Sequence, residues 1–154
     1  MREIKFRGKS KRTGEWLYGD VLRNTDWVFS VVPPFEINCH NECSTKEVDE
    51  KTIDQFTGLH DCNGKEIYEG DIVMTHVIFA YNHEEIREFW RVGEIRFIAG
   101  GFNLTNCTNY YTRSMKGKSD IQPNPKSKFD FPAYRTQLIG NIHENPELLK
   151  GGEE

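Results

Sequence analysis

Apolar and polar positions alternate with a period of two along most of the chain, and the apolar ones are rich in aromatic and β-branched residues. That pattern predicts strands. Ile4 and Phe6 alternate with Lys5 and Arg7 until Gly8 breaks the run, and Lys9 to Gly14 reads as a polar turn. Glu15 to Leu22 resumes as a strand with Trp16 and Tyr18 on one face, and Asp26 to Val32 is a third, stopped by Pro33 and Pro34. Connections this short imply an antiparallel meander. From Pro33 to Lys51 the chain is polar and punctuated, and it reads as an irregular excursion. Ile53 to Gly58 is a short strand, followed by a turn over Asp61 to Gly64. Its Asn63-Gly64 pair suits a two-residue hairpin, because both residues accept positive φ.

A second β region opens at Lys65 to Val73 and continues through Val73 to Tyr81. A polar turn over Asn82 to Glu85 leads to a strand over Phe89 to Ile98, with Gly93 as a bulge or kink. Gly100-Gly101 turns the chain into Phe102 to Thr105. Residues 110–132 have the composition of an exposed, mobile loop. Tyr134 to Ile142 is the last strand. Asn145 then reads as a cap and Pro146 as the first position of a short C-terminal helical turn. Tyr18-Gly19-Asp20-Val21 echoes Glu69-Gly70-Asp71-Ile72, which two strand entrances explain without a repeat. The core expected from this phasing is Phe6, Trp16, Val21, Phe56, Ile67, Ile72, Val92, Ile95, Phe97, Phe102, Leu138 and Ile142.

Composition narrows the class. The 154 residues include 20 Lys and Arg against 24 Asp and Glu, a net charge of −4. Only 36% of residues are hydrophobic, but 10 Phe, 6 Tyr and 3 Trp supply large apolar bodies, so a packed core is within reach. No apolar run approaches the roughly 20 residues of a spanning helix. The start MREIKFRGKSKR lacks the apolar stretch of a signal peptide. The 4 Cys are not spaced as a disulfide framework, which suits a reducing, bacterial-type cytosol.

Three blocks of this sequence resemble the YopX family of bacteriophage and prophage proteins. They are Arg2 to Lys9 with Gly14 to Leu22, Ile53 to Val73, and Gln137 to Leu149. The most specific residues are Phe56-Thr57-Gly58-Leu59, Asn63-Gly64-Lys65-Glu66-Ile67, Glu69-Gly70-Asp71-Ile72, Gly140-Asn141-Ile142 and Glu144-Asn145-Pro146-Glu147-Leu148. The resemblance implies a mainly β protein with an SH3-like barrel in its C-terminal part. It implies no activity, cofactor or catalytic residue. The expectation is a single YopX-like domain over 1–154. An N-terminal meander and excursion would occupy about 1–60. The barrel would occupy about 65–145, with its mobile loop at 110–132.

The remaining candidate chemistry is sparse. Cys39, His40, Cys43, His60 and Cys62 are metal-ligand types, but their spacing is not that of a zinc site, so scattered thiols and turn residues are expected. Asp71 is expected to cap a turn, and Glu66, Glu69 and Glu94 to be solvated. No nucleophile elbow, phosphate-binding glycine loop or paired metalloprotease histidines occur. The basic run Lys5, Arg7, Lys9, Lys11 and Arg12 beside Trp16 and Tyr18 is the most suggestive feature, because cations with nearby rings suit a nucleic-acid backbone and its bases. Arg113, Lys116, Lys118, Lys126 and Lys128 form a second cluster. Cations also guard exposed sheet edges, and the net acidity weighs against phosphate binding.

The candidate contact surface is therefore Lys9, Lys11, Arg12, Trp16 and Tyr18. The expected function is a non-catalytic binding or accessory module in the bacterial cytoplasm, with a host or phage protein as partner and no membrane role. Nucleic-acid binding through the basic hairpin is the first alternative. A small hydrolase using Asp71 or Glu94 with a histidine is the second. Free strand edges and plentiful aromatics also predict a homo-oligomer.

Overall fold

The computed structural model describes residues 3–23, 29–32, 46–82, 85–111 and 135–150. Two units divide the chain, Met1–Leu59 and His60–Glu154. The first contains β1 (Phe6–Lys9), β2 (Trp16–Arg23), β3 (Phe29–Val32), β4 (Lys46–Glu47), a 3-10 turn (Glu50–Thr52) and β5 (Asp54–His60, whose last residue opens the second unit). The second contains β6 (Glu66–Tyr68), β7 (Asp71–Asn82), β8 (Glu85–Ile98), β9 (Gly101–Tyr111), β10 (Thr136–Asn141) and a 3-10 turn (Pro146–Leu149). The fold is mainly β and its strand pairs are antiparallel. Among the described residues no helix is long and apolar enough to cross a membrane.

In the first unit the strands lie in the order β4-β3-β2-β1-β5. The β1–β2 hairpin pairs Phe6 with Gly19 and Lys9 with Trp16. Val31 and Val48 are fully buried and Phe56 nearly so. Val48 corrects the expected irregular excursion over Pro33 to Lys51. The end of that stretch is built into the fold, with Lys46 and Glu47 paired to β3 and Val48 bridged to Ser10. A lone valine among charges gives no periodic signal. Its place is made from the other side, where Gly8 leaves a gap: a Cβ on Gly8 would sit 3.0 Å from Val48 Cβ. Residues 33–45 lie outside the described residues.

The second unit's sheet has the order β10-β7-β8-β9, with β9 and β10 as its outer strands. Its centre is Ile67, Val73, Ile95 and Leu104, with Phe102, Cys107 and Leu138 packed against them. Two turns fasten this unit. Asp61, only 5% exposed, accepts at one carboxylate oxygen from the N–H of Asn63 and Lys65, and at the other from the N–H of Leu138 on β10. Burial pushes its pKa up, but these backbone donors outweigh burial and hold it below 3.8. In the second turn Gly70 adopts φ +75°, donates to Ile95 O and accepts from the N–H of Ile142. Asp71 closes that turn by accepting from the N–H of Tyr68, the capping role expected for it. Asp20 in the echoing sequence is exposed within β2, so the echo has no structural counterpart.

Gly93 marks a bulge, as its position in an alternating run predicts. Val92 faces Thr108 while Glu94 faces Thr105, so Asn106 and Cys107 oppose Gly93 alone. A Cβ on Gly93 would lie 2.8 Å from Leu104 Cγ and 2.9 Å from Thr105 O. Asn106 takes φ +51° and its side-chain amide donates to Glu94 Oε2. Glu94 is thus 1% exposed, held also by Arg96 Nε at 2.6 Å. This corrects the expectation of a solvated Glu94: the bulge supplies it with donors inside the fold. Glu66 and Glu69 are half-buried instead of fully solvated, accepting from the Tyr68 hydroxyl and the Phe97 N–H respectively.

Of the expected core, Phe56, Ile67, Ile72, Val92 and Ile95 are buried, while Phe6, Trp16, Val21, Phe102, Leu138 and Ile142 are half-buried. Phe97 is 49% exposed and is a correction. It shares the face of fully buried Ile95, but β8 runs past the end of the core there, and Phe97 meets the Phe102 ring edge-to-face with centroids 5.2 Å apart. Tyr110 and Tyr111 belong to β9, not to a loop; residues 112–134 lie outside the described residues. The C-terminal turn forms with Pro146 at its start, yet Asn145 does not cap it by its side chain. Asn141 organises the approach instead, accepting at Oδ1 from the N–H of His143 and Glu144.

Two outcomes follow. Gly93→Ala forces a methyl group against backbone and core and lowers stability by about 1–3 kcal/mol in urea unfolding. Because the folded-state pKa of Asp61 is depressed, its stabilisation is present above the unfolded value of about 3.9 and is lost as pH falls through the folded one. Asp61→Ala removes the acceptor of three backbone N–H groups, costs about 1–3 kcal/mol at pH 7 and flattens the acid limb of a stability–pH curve.

Candidate functional site

The β1–β2 register decides what the basic run does. Arg7 pairs with Tyr18 and Lys9 with Trp16, and directly opposed residues share a face. All four side chains therefore stand on one side of the hairpin, and Gly8 faces Val48 on the other. Arg7 is 6% exposed, and its Nε and Nη2 reach Asp54 Oδ2 at 3.0 and 2.9 Å. Its guanidinium also lies over the Trp16 ring at 4.5 Å, and Lys9 Nζ approaches the same ring at 5.3 Å. Lys5 lies over Phe56 at 4.7 Å and reaches Glu3 at 3.7 Å. Charges stacked on rings and paired with carboxylates are partly neutralised within the sheet.

The tip of the hairpin is different. Ser10 is buried and its hydroxyl accepts from the N–H of Arg12 and Thr13, which shapes a tight turn closed by Gly14 at φ +73°. Beside it opens a cleft of about 540 Å³ lined by Ser10, Lys11, Arg12, Thr13, Glu15, Leu17, Lys46 and Glu47. Lys11 and Arg12 are exposed, and Lys11 Nζ lies 3.9 Å from Glu47. The lining thus mixes three cations, two carboxylates and two hydroxyls with one leucine. β4 supplies Lys46 and Glu47, which sequence reasoning placed in the irregular excursion.

The five residues singled out from sequence therefore part company. Lys11 and Arg12 line the cleft. Lys9 and Trp16 stack on each other, and Tyr18 is 47% exposed on the same face. The carboxylates of the hydrolase alternative are in the second unit, Asp71 in its turn and Glu94 in its bulge, each 1% exposed. The cleft contains neither Asp61 nor Cys107, whose thiol is pushed up by burial against the opposing pull of Arg91. Among the described residues no group of three or more His, Cys, Asp or Glu could hold a metal ion. His60 and Cys62 are exposed; Cys39, His40 and Cys43 lie outside the described residues.

A family model described as YopX protein matches residues 5–150, nearly the whole chain. The chain belongs to the YopX family. No curated protein matches the sequence. A crystal structure of a protein from Enterococcus faecalis is 25% identical, covering 97% of this chain and 99% of that one, with a TM-score of 0.49. The YopX blocks fall on the fold's fastenings. Gly70 and Asp71 make the β6–β7 turn, Thr57 accepts from the N–H of Leu59 beside Gly58 at φ +83°, and Asn63 and Lys65 donate to Asp61. Gly140 has Asn145 Oδ1 only 2.6 Å from where a Cβ would stand. In this YopX chain the cleft residues Lys11, Arg12, Lys46 and Glu47 lie outside those motif positions.

If Trp16 serves mainly as the platform for Arg7 and Lys9, its loss should exceed that of its neighbour. Trp16→Ala is expected to cost about 2–3 kcal/mol, and exposed Tyr18→Ala within about 1 kcal/mol of neutral, by urea unfolding.

Proposed function

We propose that this YopX-family chain is a non-catalytic accessory module that binds a protein through the cleft at the β1–β2 hairpin tip. One observation carries the reading. Three of the five cations that suggested phosphate binding are engaged on the sheet, Arg7 on Asp54 and Lys5 and Lys9 over rings, while Lys11 and Arg12 line an open cleft with both signs of charge. A mixed lining suits a polar protein segment, which brings its own charges of both signs, better than a uniformly anionic backbone. The net charge of −4 supports the same ranking. We read the second unit as SH3-like, supported by its four-stranded antiparallel sheet β10-β7-β8-β9, and the chain as a phage or prophage product working in the bacterial cytoplasm.

Nucleic-acid binding remains the competing reading, favoured by exposed Arg12 beside the basic strand β1. A hydrolase is less well supported, since Asp71 and Glu94 are committed to a turn and a bulge. Affinity capture from bacterial lysate, with and without nuclease, separates the readings. The chain is expected to retain a nuclease-resistant protein, and the triple variant Lys11→Glu, Arg12→Glu, Lys46→Glu to lose it with its melting temperature nearly unchanged, because all three are exposed. Loss of all capture on nuclease treatment, with binding that falls steeply with salt, would overturn the proposal.

A further inference from the structure

We propose that Asn63 is a self-modifying site, where the side-chain amide is lost through a cyclic imide formed with Gly64, and that Asp61 sets the rate by gripping both reacting groups. The site lies in the turn between β5 and β6 and owes nothing to the hairpin cleft. Asn63 is the one asparagine in the sequence that precedes a glycine. Glycine has no Cβ, so it leaves its own backbone nitrogen open to approach by the preceding side chain. Asn63 and Gly64 are both exposed, Gly64 stands at φ +79°, and a Cβ there would meet nothing within 4 Å. Ring closure therefore has room, and water reaches it. Asn103, Asn106 and Asn141, by contrast, precede Leu, Cys and Ile, and their side-chain amides donate to Ile98 O, Glu94 and Glu144.

The chemistry needs only water. The Gly64 N–H gives its proton to solvent base, and its nitrogen attacks Asn63 Cγ. The N–Cγ bond forms, the Cγ–Nδ2 bond breaks, and the amide nitrogen leaves as ammonia with a proton from solvent. Water then opens the imide at either carbonyl, giving aspartate or isoaspartate. One water is consumed, one ammonia is released, and nothing is oxidised or reduced. In the closed turn one residue occupies both groups. The Gly64 N–H donates to Asp61 O at 3.0 Å, and Asn63 Nδ2 lies 3.5 Å from Asp61 Oδ2. Asp61 Oδ1 also accepts from the N–H of Asn63 at 2.8 Å and of Lys65 at 2.9 Å. Attack therefore waits for local opening of the turn. Isoaspartate routes the main chain through the side chain and lengthens the turn by a carbon, so the two N–H groups no longer converge on Oδ1. Conversion thus loosens the residue that ties this turn to Leu138 on β10.

The test is incubation of the full chain at neutral and mildly alkaline pH, followed by peptide mapping with mass spectrometry. The mass gain of an amide-to-acid change is expected in the peptide holding Asn63 before those holding Asn103, Asn106 or Asn141, with isoaspartate among the products and a rate that rises with pH. Unfolding in urea should speed conversion by about tenfold, because the turn is then always open. Asp61→Ala should do the same in the folded chain. Asp61→Asn keeps an acceptor at Oδ1 and should fall between, which tests the grip even where the alanine variant does not fold. Converted chain, separated by its added charge, should unfold at a lower urea midpoint than unconverted chain. No conversion at Asn63 in the folded chain, a rate equal to that in urea, Asp61 variants that convert no faster, or converted chain with an unchanged midpoint would each overturn the proposal.

Discussion

The turn at Gly70 and Asp71 is the constraint on which the second unit depends. A β protein must satisfy the backbone groups at its turns as well as along its strands. Here one glycine in the left-handed region donates to Ile95 on β8 and accepts from Ile142 just beyond β10, while the next residue caps Tyr68 on β6. Four strands are thereby indexed to one turn. Ile67, Ile72 and Val73 flank it and are completely buried, so the hydrogen bonds and the core fix each other. Asp61 does similar work at the preceding hairpin, tying it to Leu138 on β10. Both carboxylates accept from backbone N–H groups of the turns they close.

The same logic explains the first unit. A run of five cations beside aromatic rings would, on an open surface, suggest a path for phosphates. The antiparallel register instead brings three of them, Lys5, Arg7 and Lys9, onto rings and carboxylates of neighbouring strands. Arg7 is buried, and its charge is tolerable there because Asp54 and the Trp16 ring receive it. What remains open is the hairpin tip, where Lys11 and Arg12 are exposed beside the charged strand β4. That places the candidate contact surface at Lys11 and Arg12, away from Lys9 and Trp16.

Much of this fold is legible in the sequence, because period-two alternation and glycine turn signals are local. Strand positions, the bulge at Gly93, the turn at Asp71 and the C-terminal 3-10 turn all come from that grammar. What is not legible depends on length and on partners far along the chain. Phe97 has the right face but lies beyond the end of the core, which alternation cannot reveal. Val48 is buried because Gly8, forty residues earlier, leaves room for it. Glu94 reads as a solvated strand charge until the bulge presents Asn106 to it. The candidate site was half legible: Lys11 and Arg12 stand out as a basic turn, whereas Lys46 and Glu47 reach the cleft only through the pairing of β4 with β3.

The central claim is that the residues marking this chain as a YopX protein act by fastening turns, with Gly70 foremost. Urea unfolding of Gly70→Ala tests it most directly. Forcing a Cβ into φ +75° costs about 1–2 kcal/mol from the left-handed backbone alone, and the buried position adds to this, so the midpoint should fall by at least that much at an unchanged slope. A midpoint equal to that of the unaltered chain would contradict the account.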